Sequence, residues 1–169
     1  KEEKSPVYLV WDNPEILKLL IEAGADVNRG RTVYKCESKS RGIFGSVYSW
    51  KKSRYDDEIT PLEEAILRDF KPEYIKMLLE AGATITPKAE EWCGREANPE
   101  TIKILLKHKG NADQILLGAV RRNKPDVVPD LIKAGAHLTI SDEPGRTLLH
   151  EAARYGSDKV IPLLIQAGA

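Results

Sequence analysis

Apolar residues recur along this chain in one repeating phrase. Pro14-Glu15-Ile16-Leu17-Lys18-Leu19-Leu20-Ile21-Glu22-Ala23-Gly24 places them at helical spacing and ends on a small residue and a glycine. The phrase returns from Pro72 to Gly82, from Pro99 to Gly110 with one extra residue, from Pro125 to Gly135, and from Asp158 to Gly168. Each copy predicts a short amphipathic helix. Proline presets φ at the first helical position, where no internal N–H bond is lost. Asn13 and Asn98 stand where an N-cap accepts from the first turn. The closing glycine fits the left-handed position past a helix end.

A second helix precedes several copies. Thr60-Pro61-Leu62-Glu63 starts one, with Thr60 and Glu63 spaced as a capping box. Helices also start near Gln114 and at Thr147, whereas the first copy has only Val7 to Trp11 for this role. Ala65, Ala119 and Ala152 are small enough for paired helices to approach closely. The predicted unit is helix, tight turn, helix, loop.

At this point the chain resembles the ankyrin repeat family, whose period is near 33 and whose signature is T-P-L-H-x-A. Thr60-Pro61-Leu62 with Ala65 lacks only the His, and Thr147, Leu149, His150 and Ala152 lack only the Pro. Gly24-Ala25-Asp26-Val27-Asn28 is similar to the family's loop, and Gly135 to Gly168 spans 33 residues. The resemblance leaves out roughly residues 30–58. It implies a predominantly all-α, ankyrin-like helix-turn-helix solenoid of about five repeats. Residues 1–169 are expected to form one array, with residues 29–58 inserted between the first and second repeats.

The departures are informative. Twelve residues separate Gly135 from Thr147, the regular length for a finger-like hairpin. Only 4 separate Gly110 from Gln114 and 7 separate Gly82 from Ala89, whereas 36 separate Gly24 from Thr60. The middle connections should be tight and the first greatly enlarged. Pro129 and Pro162 fall inside the outer-helix phrase, where proline costs about 3 kcal/mol. A later helix start or a first-turn kink would accommodate them. The charged Lys1-Glu2-Glu3-Lys4 would suit a polar terminal cap.

The insertion alternates apolar and polar residues, as strands do. Thr32-Val33-Tyr34-Lys35-Cys36 reads as one strand; Phe44, Ser46, Tyr48 and Trp50 share one face of another. An elongated β-hairpin is expected, turning near Lys39–Gly42, with Asp56-Asp57-Glu58 returning the chain to the second repeat.

Charge changes the picture. The 169 residues hold 26 Lys plus Arg and 26 Asp plus Glu, a net charge of zero. That argues against a chain whose whole surface coats nucleic acid or an anionic membrane. Yet residues 29–55 carry eight basic residues against Glu37 alone, giving +7, and the rest carries −7. Aromatics interleaved with these basic residues can pack on the array, bind an acidic protein segment, or stack on single-stranded nucleic acid. The hairpin could also fold back on its own acidic repeats. The rest of the chain offers no basic continuation, so nucleic acid is the weaker alternative.

Chemistry is sparse. His108, His137 and His150 form no metal-binding spacing, and Cys36 and Cys93 form no CxxC. His150 holds the family's His position, where the resemblance implies a structural role. There is no phosphate-binding glycine phrase, and Glu63-Glu64 and Glu90-Glu91 point about 100° apart on their helices. No enzyme, cofactor or metal is expected. No run approaches the roughly 18 apolar residues of a membrane span. Two cysteines make no disulfide framework, although one bridge between them stays open; the count fits a reducing compartment, so a cytoplasmic location is expected, with a secreted effector as the alternative. The chain does not begin with Met, which fits a fragment of a larger protein or a processed form.

The expected function is protein–protein interaction by a monomer, through the concave face of the repeats and the 29–55 hairpin. The alternatives are nucleic-acid contact through the hairpin and a structural segment of a larger protein. The expected partner is another protein, with an acidic segment as the natural complement of the arginines. The hairpin supplies Tyr48, Trp50, Arg54 and Tyr55. Exposed inner-helix positions supply Glu64, Arg68, Arg121, Arg122, Glu151, Arg154 and Tyr155, and the finger supplies His137.

Overall fold

The computed structural model describes residues 6–9, 13–38, 50–139 and 146–169, with strand residues 31–38 and 50–57 described by their backbone. The expected turn at Lys39–Gly42, the Phe44–Tyr48 face, the end of the first inner helix at Trp11, the charged residues 1–4 and most of the last finger lie outside the described residues.

Helices come in pairs. A short 3₁₀ turn at Pro6–Leu9 precedes α1 (Pro14–Glu22). The pairs that follow are α2 (Pro61–Leu67) with α3 (Pro72–Glu80), and α4 (Pro87–Glu96) with α5 (Pro99–Lys107). Next come α6 (Ala112–Arg121) with α7 (Val128–Lys133), and α8 (Leu148–Tyr155) with α9 (Ile161–Gln166). Inner helices α2, α4, α6 and α8 pack side by side, and outer helices α1, α3 and α5 do the same. Leu62, Ile66, Ile75, Leu78, Leu105 and Ile115 are fully buried between the two rows. Burying each such side chain contributes about 1.5–3 kcal/mol.

Local chemistry places the helix ends. Asn13 accepts from the Glu15 and Ile16 N–H groups, and Asn98 from that of Thr101. Thr60 and Glu63 close the capping box: Thr60 Oγ1 accepts from Glu63 N–H at 3.2 Å, and the Glu63 carboxylate accepts from Thr60 N–H at 2.9 Å. His150 does the corresponding job in α8, its Nδ1 accepting from Thr147 N–H at 3.2 Å. Pro129 and Pro162 sit in the first turns of α7 and α9, which start late after a run of turns. The proline N–H groups are thus missing where no bond is needed.

One helix end departs from expectation. Gly24, Gly82, Gly135 and Gly168 take positive φ, but Gly110 does not; Lys109 does instead, at φ 65°. Lys109 lies ten residues after Pro99, as Gly24 does after Pro14 and Gly82 after Pro72, so the left-handed position keeps its place and the extra residue pushes the glycine one step past it. Gly110 is still required, because a Cβ there would stand 2.9 Å from the Leu105 carbonyl oxygen.

The connections follow the counts. Asn111 caps α6 directly after Gly110, so that loop is tight and α6 begins two residues before Gln114. The insertion forms an antiparallel pair, β1 (Arg31–Ser38) with β2 (Trp50–Ile59). Trp50 faces Ser38, and Arg54 faces Tyr34. Between Tyr34–Arg54 and Thr32–Glu58, four steps on β2 oppose two on β1, so the ribbon is irregular around Tyr55–Asp57.

The closest approach of two inner helices is between α4 and α6. A Cβ at Gly94 would overlap the Ile115 carbonyl oxygen, and one at Gly118 would overlap the Glu91 carbonyl oxygen. Ala65, Ala119 and Ala152 are fully buried in the same layer.

Candidate interaction surface

Polar side chains lock consecutive repeats together. Asn98 donates to Asp69 at 3.1 Å and Asn123 to Asp158 at 2.7 Å. The Lys159 N–H returns a bond to Asn123, and Ser157 Oγ donates to the Val120 carbonyl. Asn28 donates to the Gly82 carbonyl at 3.0 Å and accepts from Thr84 N–H at 2.7 Å. These bonds hold the inner helices as a row of fixed register.

Along that row lies a chain of ion pairs. On α2, Arg68 Nε pairs with Glu64 at 2.9 Å; on α4, Arg95 pairs with Glu91 at 3.5 Å. Both are i,i+4 pairs with the acid on the N-terminal side, the favoured order. Arg121 at the end of α6 bridges three helices: its Nη1 donates to Glu91 of α4 at 3.0 Å, and its Nε to Glu151 of α8 at 2.9 Å. Arg122 approaches Glu96 at 3.7 Å, and Arg154 approaches Glu151 at 4.0 Å. The Tyr155 ring lies within cation–π reach of both Arg121 and Arg154, each guanidinium carbon 5.6 Å from its centroid.

The structure therefore brings together Glu64, Arg68, Arg121, Arg122, Glu151, Arg154 and Tyr155 along one row. It also corrects the expected exposure of three of them. Glu151 is not an exposed contact residue: its carboxylate is fully buried, with Oε2 held by Arg121 and Oε1 without a hydrogen bond. Arg121 beside it and Glu64 on α2 are also mostly buried, at 11% and 12% exposed. The reason is tertiary, since Glu151 faces the preceding repeat's arginine, whereas its counterpart Glu64 pairs within its own helix. His137 lies apart, in the loop after α7, where its N–H donates to Asp113 at 2.8 Å and its ring Nδ1 lies 3.2 Å from the same carboxylate. Trp50, Arg54 and Tyr55 lie on β2, and Tyr48 lies outside the described residues.

Sequence reading missed Glu91, Arg95 and Glu96. The third repeat lacks the T-P-L phrase, so its inner-helix face was not assigned. The usable signal was Thr86-Pro87 as a helix start with Glu91 and Arg95 four residues apart.

Buried polar groups elsewhere serve packing. Cys93 is a free thiol buried in α4, where desolvation pushes it up to about 12. Glu90 is raised above its usual range by burial, although its carboxylate accepts from Asn111 N–H at 2.6 Å. Lys124 is lowered by burial and donates to the Ala97 carbonyl at 3.0 Å. Among the described residues, no three His, Cys, Asp or Glu side chains are grouped to hold a metal. No described helix is long and apolar enough to cross a membrane.

Paired antiparallel helices stacked in two rows, with short loops and one extended hairpin, define a helical repeat solenoid. Residues 144–169 match the model of the ankyrin repeat. The chain is 34% identical over 110 residues to an ankyrin repeat protein of Rickettsia bellii, covering 59% of this chain and 15% of that protein. It is 39% identical over 64 residues to the NF-kappa-B inhibitor delta of Mus musculus, covering 38% and 19%. A nuclear factor NF-kappa-B subunit of Gallus gallus is 44% identical over 48 residues, covering 28% and 5%. The matched segments span less than a fifth of each relative's length. The resemblance to the ankyrin repeat family holds: residues 144–169 match the repeat itself, the relatives carry it by name, and the paired-helix architecture is that of an ankyrin-like solenoid.

Proposed function

We propose that the chain is a protein-recognition module that holds a partner across the inner-helix row and the adjoining 29–55 hairpin. The observation that carries this reading is the row itself: α2, α4, α6 and α8 set charged pairs and Tyr155 at successive positions on a scaffold locked by inter-repeat bonds. A prearranged surface loses little conformational entropy on binding, and Arg and Tyr are the residue types that dominate interface energies. The mouse relative is named for inhibiting NF-kappa-B, itself a named protein, which agrees with a protein target in general terms. In this reading the chain acts as a cytoplasmic monomer and performs no catalysis.

The test is partner capture by crosslinking and affinity purification. It compares the intact chain with an Arg154→Gln/Tyr155→Ala variant and with a chain lacking residues 31–55. Loss of the same partners in both supports a surface built from row and hairpin. Loss only on hairpin deletion moves the contact to the hairpin, and capture of single-stranded nucleic acid by the intact chain favours the alternative reading. Identical profiles in all three remove both surfaces from the claim.

A further inference from the structure

The ion pairs of the inner row are not symmetric toward solvent. Their acids, Glu64, Glu91, Glu96 and Glu151, are at most 32% exposed, whereas Arg68, Arg95, Arg122 and Arg154 are 38–58% exposed. The outer helices differ. There Lys18–Glu22 and Lys76–Glu80 leave both partners more than half exposed. The inner row is thus close to neutral in count but layered in depth, with carboxylates below and guanidinium groups above. Helix geometry favours this order, since most of these arginines lie at the C-terminal ends of their helices, where the dipole favours a cation.

We infer that this layer of guanidinium groups recognises an acidic segment of a protein partner, with Arg122, Arg154 and Tyr155 as the contacting residues and Arg121 as a positioning residue. The inference rests on the protein-recognition reading above and names the chemistry of its partner. Glu151 is the pivot. Arg121 holds Glu151 Oε2 by a direct bond, while Arg154 stands 4.0 Å from Oε1 with no hydrogen bond between them. The Arg154 side chain is 54% exposed and can meet a partner carboxylate while the buried Glu151 stays compensated by Arg121. Arg122 lies 3.7 Å from Glu96 and is 58% exposed. Tyr155, half exposed beside two guanidinium groups, offers a flat apolar face at the end of the row. A guanidinium already near one carboxylate accepts a second in bidentate geometry, because its donors fan out in one plane. Carboxylates spaced along an extended peptide complement such a row.

The test uses the full chain and a fluorescent peptide of alternating Glu and Gly, followed by anisotropy at low and moderate salt. The same-length Lys–Gly peptide and a thymidine oligonucleotide serve as competitors. The acidic peptide is expected to bind with a clear salt dependence. Arg122→Gln and Arg154→Gln should each weaken it about fivefold, and the double variant by more than about tenfold. Lys18→Gln on α1 should leave it within about twofold, and circular dichroism should show each variant folded. Unchanged affinity in the double variant overturns the inference, as does loss of binding in Lys51→Gln/Lys52→Gln on the hairpin but not in the row variants. Tighter binding of the oligonucleotide through the same arginines also overturns it. If the row variants abolish partner capture while the acidic peptide neither binds nor competes, protein recognition stands and the acidic-segment inference falls.

Discussion

Replacing Arg121 by Met tests the tertiary logic of the inner row. Methionine keeps much of the side-chain volume and removes the charge. In the native chain Arg121 Nε donates to the fully buried Glu151 carboxylate at 2.9 Å, and Nη1 donates to Glu91 at 3.0 Å. Without Arg121, the cation left near Glu151 is Arg154 at 4.0 Å, itself half exposed. Removing one partner of a buried pair costs about 3–5 kcal/mol, because an uncompensated charge stays inside. Arg154 can swing inward in part, so the expected loss is near the lower end, about 3 kcal/mol. For a chain of this length that lowers the melting temperature by about 6–12 °C. The assay is thermal and urea unfolding followed by far-ultraviolet circular dichroism. The decisive comparison is the double variant Arg121→Met/Glu151→Gln, in which the buried charge is gone. It should recover at least about 1 kcal/mol relative to the sum of the single changes. A loss below about 1 kcal/mol in Arg121→Met, or strict additivity in the double variant, refutes the argument that Glu151 depends on its neighbour's arginine.

The remaining expectations are shorter. Gly94→Ala and Gly118→Ala should each destabilise the chain by about 1–3 kcal/mol, because the new Cβ meets a facing backbone carbonyl oxygen. Alanine is the better helix former by about 1 kcal/mol, so a stabilised variant in urea melts would sink this packing argument. In a Cys36→Ser background, Cys93 should resist a disulfide-exchange reagent at pH 8 until the chain is unfolded, being buried and pushed up to about 12. Because its folded value lies above its ordinary 9.0, the stability linked to Cys93 is fully present below pH 9 and is lost as pH rises toward about 12. The stability of Cys93→Ala minus that of the native chain should therefore grow across that window. Glu90 is also raised, from 4.5, so its linked stability is present below that pH and is lost as pH rises through the higher folded value. Glu90→Gln should gain on the native chain between acid and neutral pH, and a flat difference in paired urea melts counts against the burial argument.

Much of this architecture was legible in the residues because its causes are local. A capping box needs only Thr60 and Glu63 three residues apart; Pro129 and Pro162 call for a later helix start or a first-turn kink; and the alternation in residues 32–36 suits a strand, whereas the second strand, read at 44–50, runs instead over Trp50–Ile59. The inner helices, the tight third connection and the hairpin all follow from such short-range rules. The third repeat shows where local rules fail. One extra residue pushed the glycine past the left-handed position, which therefore falls on Lys109, and a missing signature phrase hid Glu91 and Arg95.

What tertiary structure alone decided is the depth of each charged group. Glu64 and Glu151 occupy matching places in their helices and look alike in sequence. One pairs with Arg68 four residues on, while the other is buried against an arginine 30 residues earlier, and only the stacking of α8 on α6 creates that difference. Gly94 and Gly118 likewise look like weak points in two helices until the backbones of α4 and α6 meet across them. Sequence determines helices and caps because their hydrogen bonds close within four residues. Burial depends on which surfaces meet, and that is fixed by the packing of whole repeats.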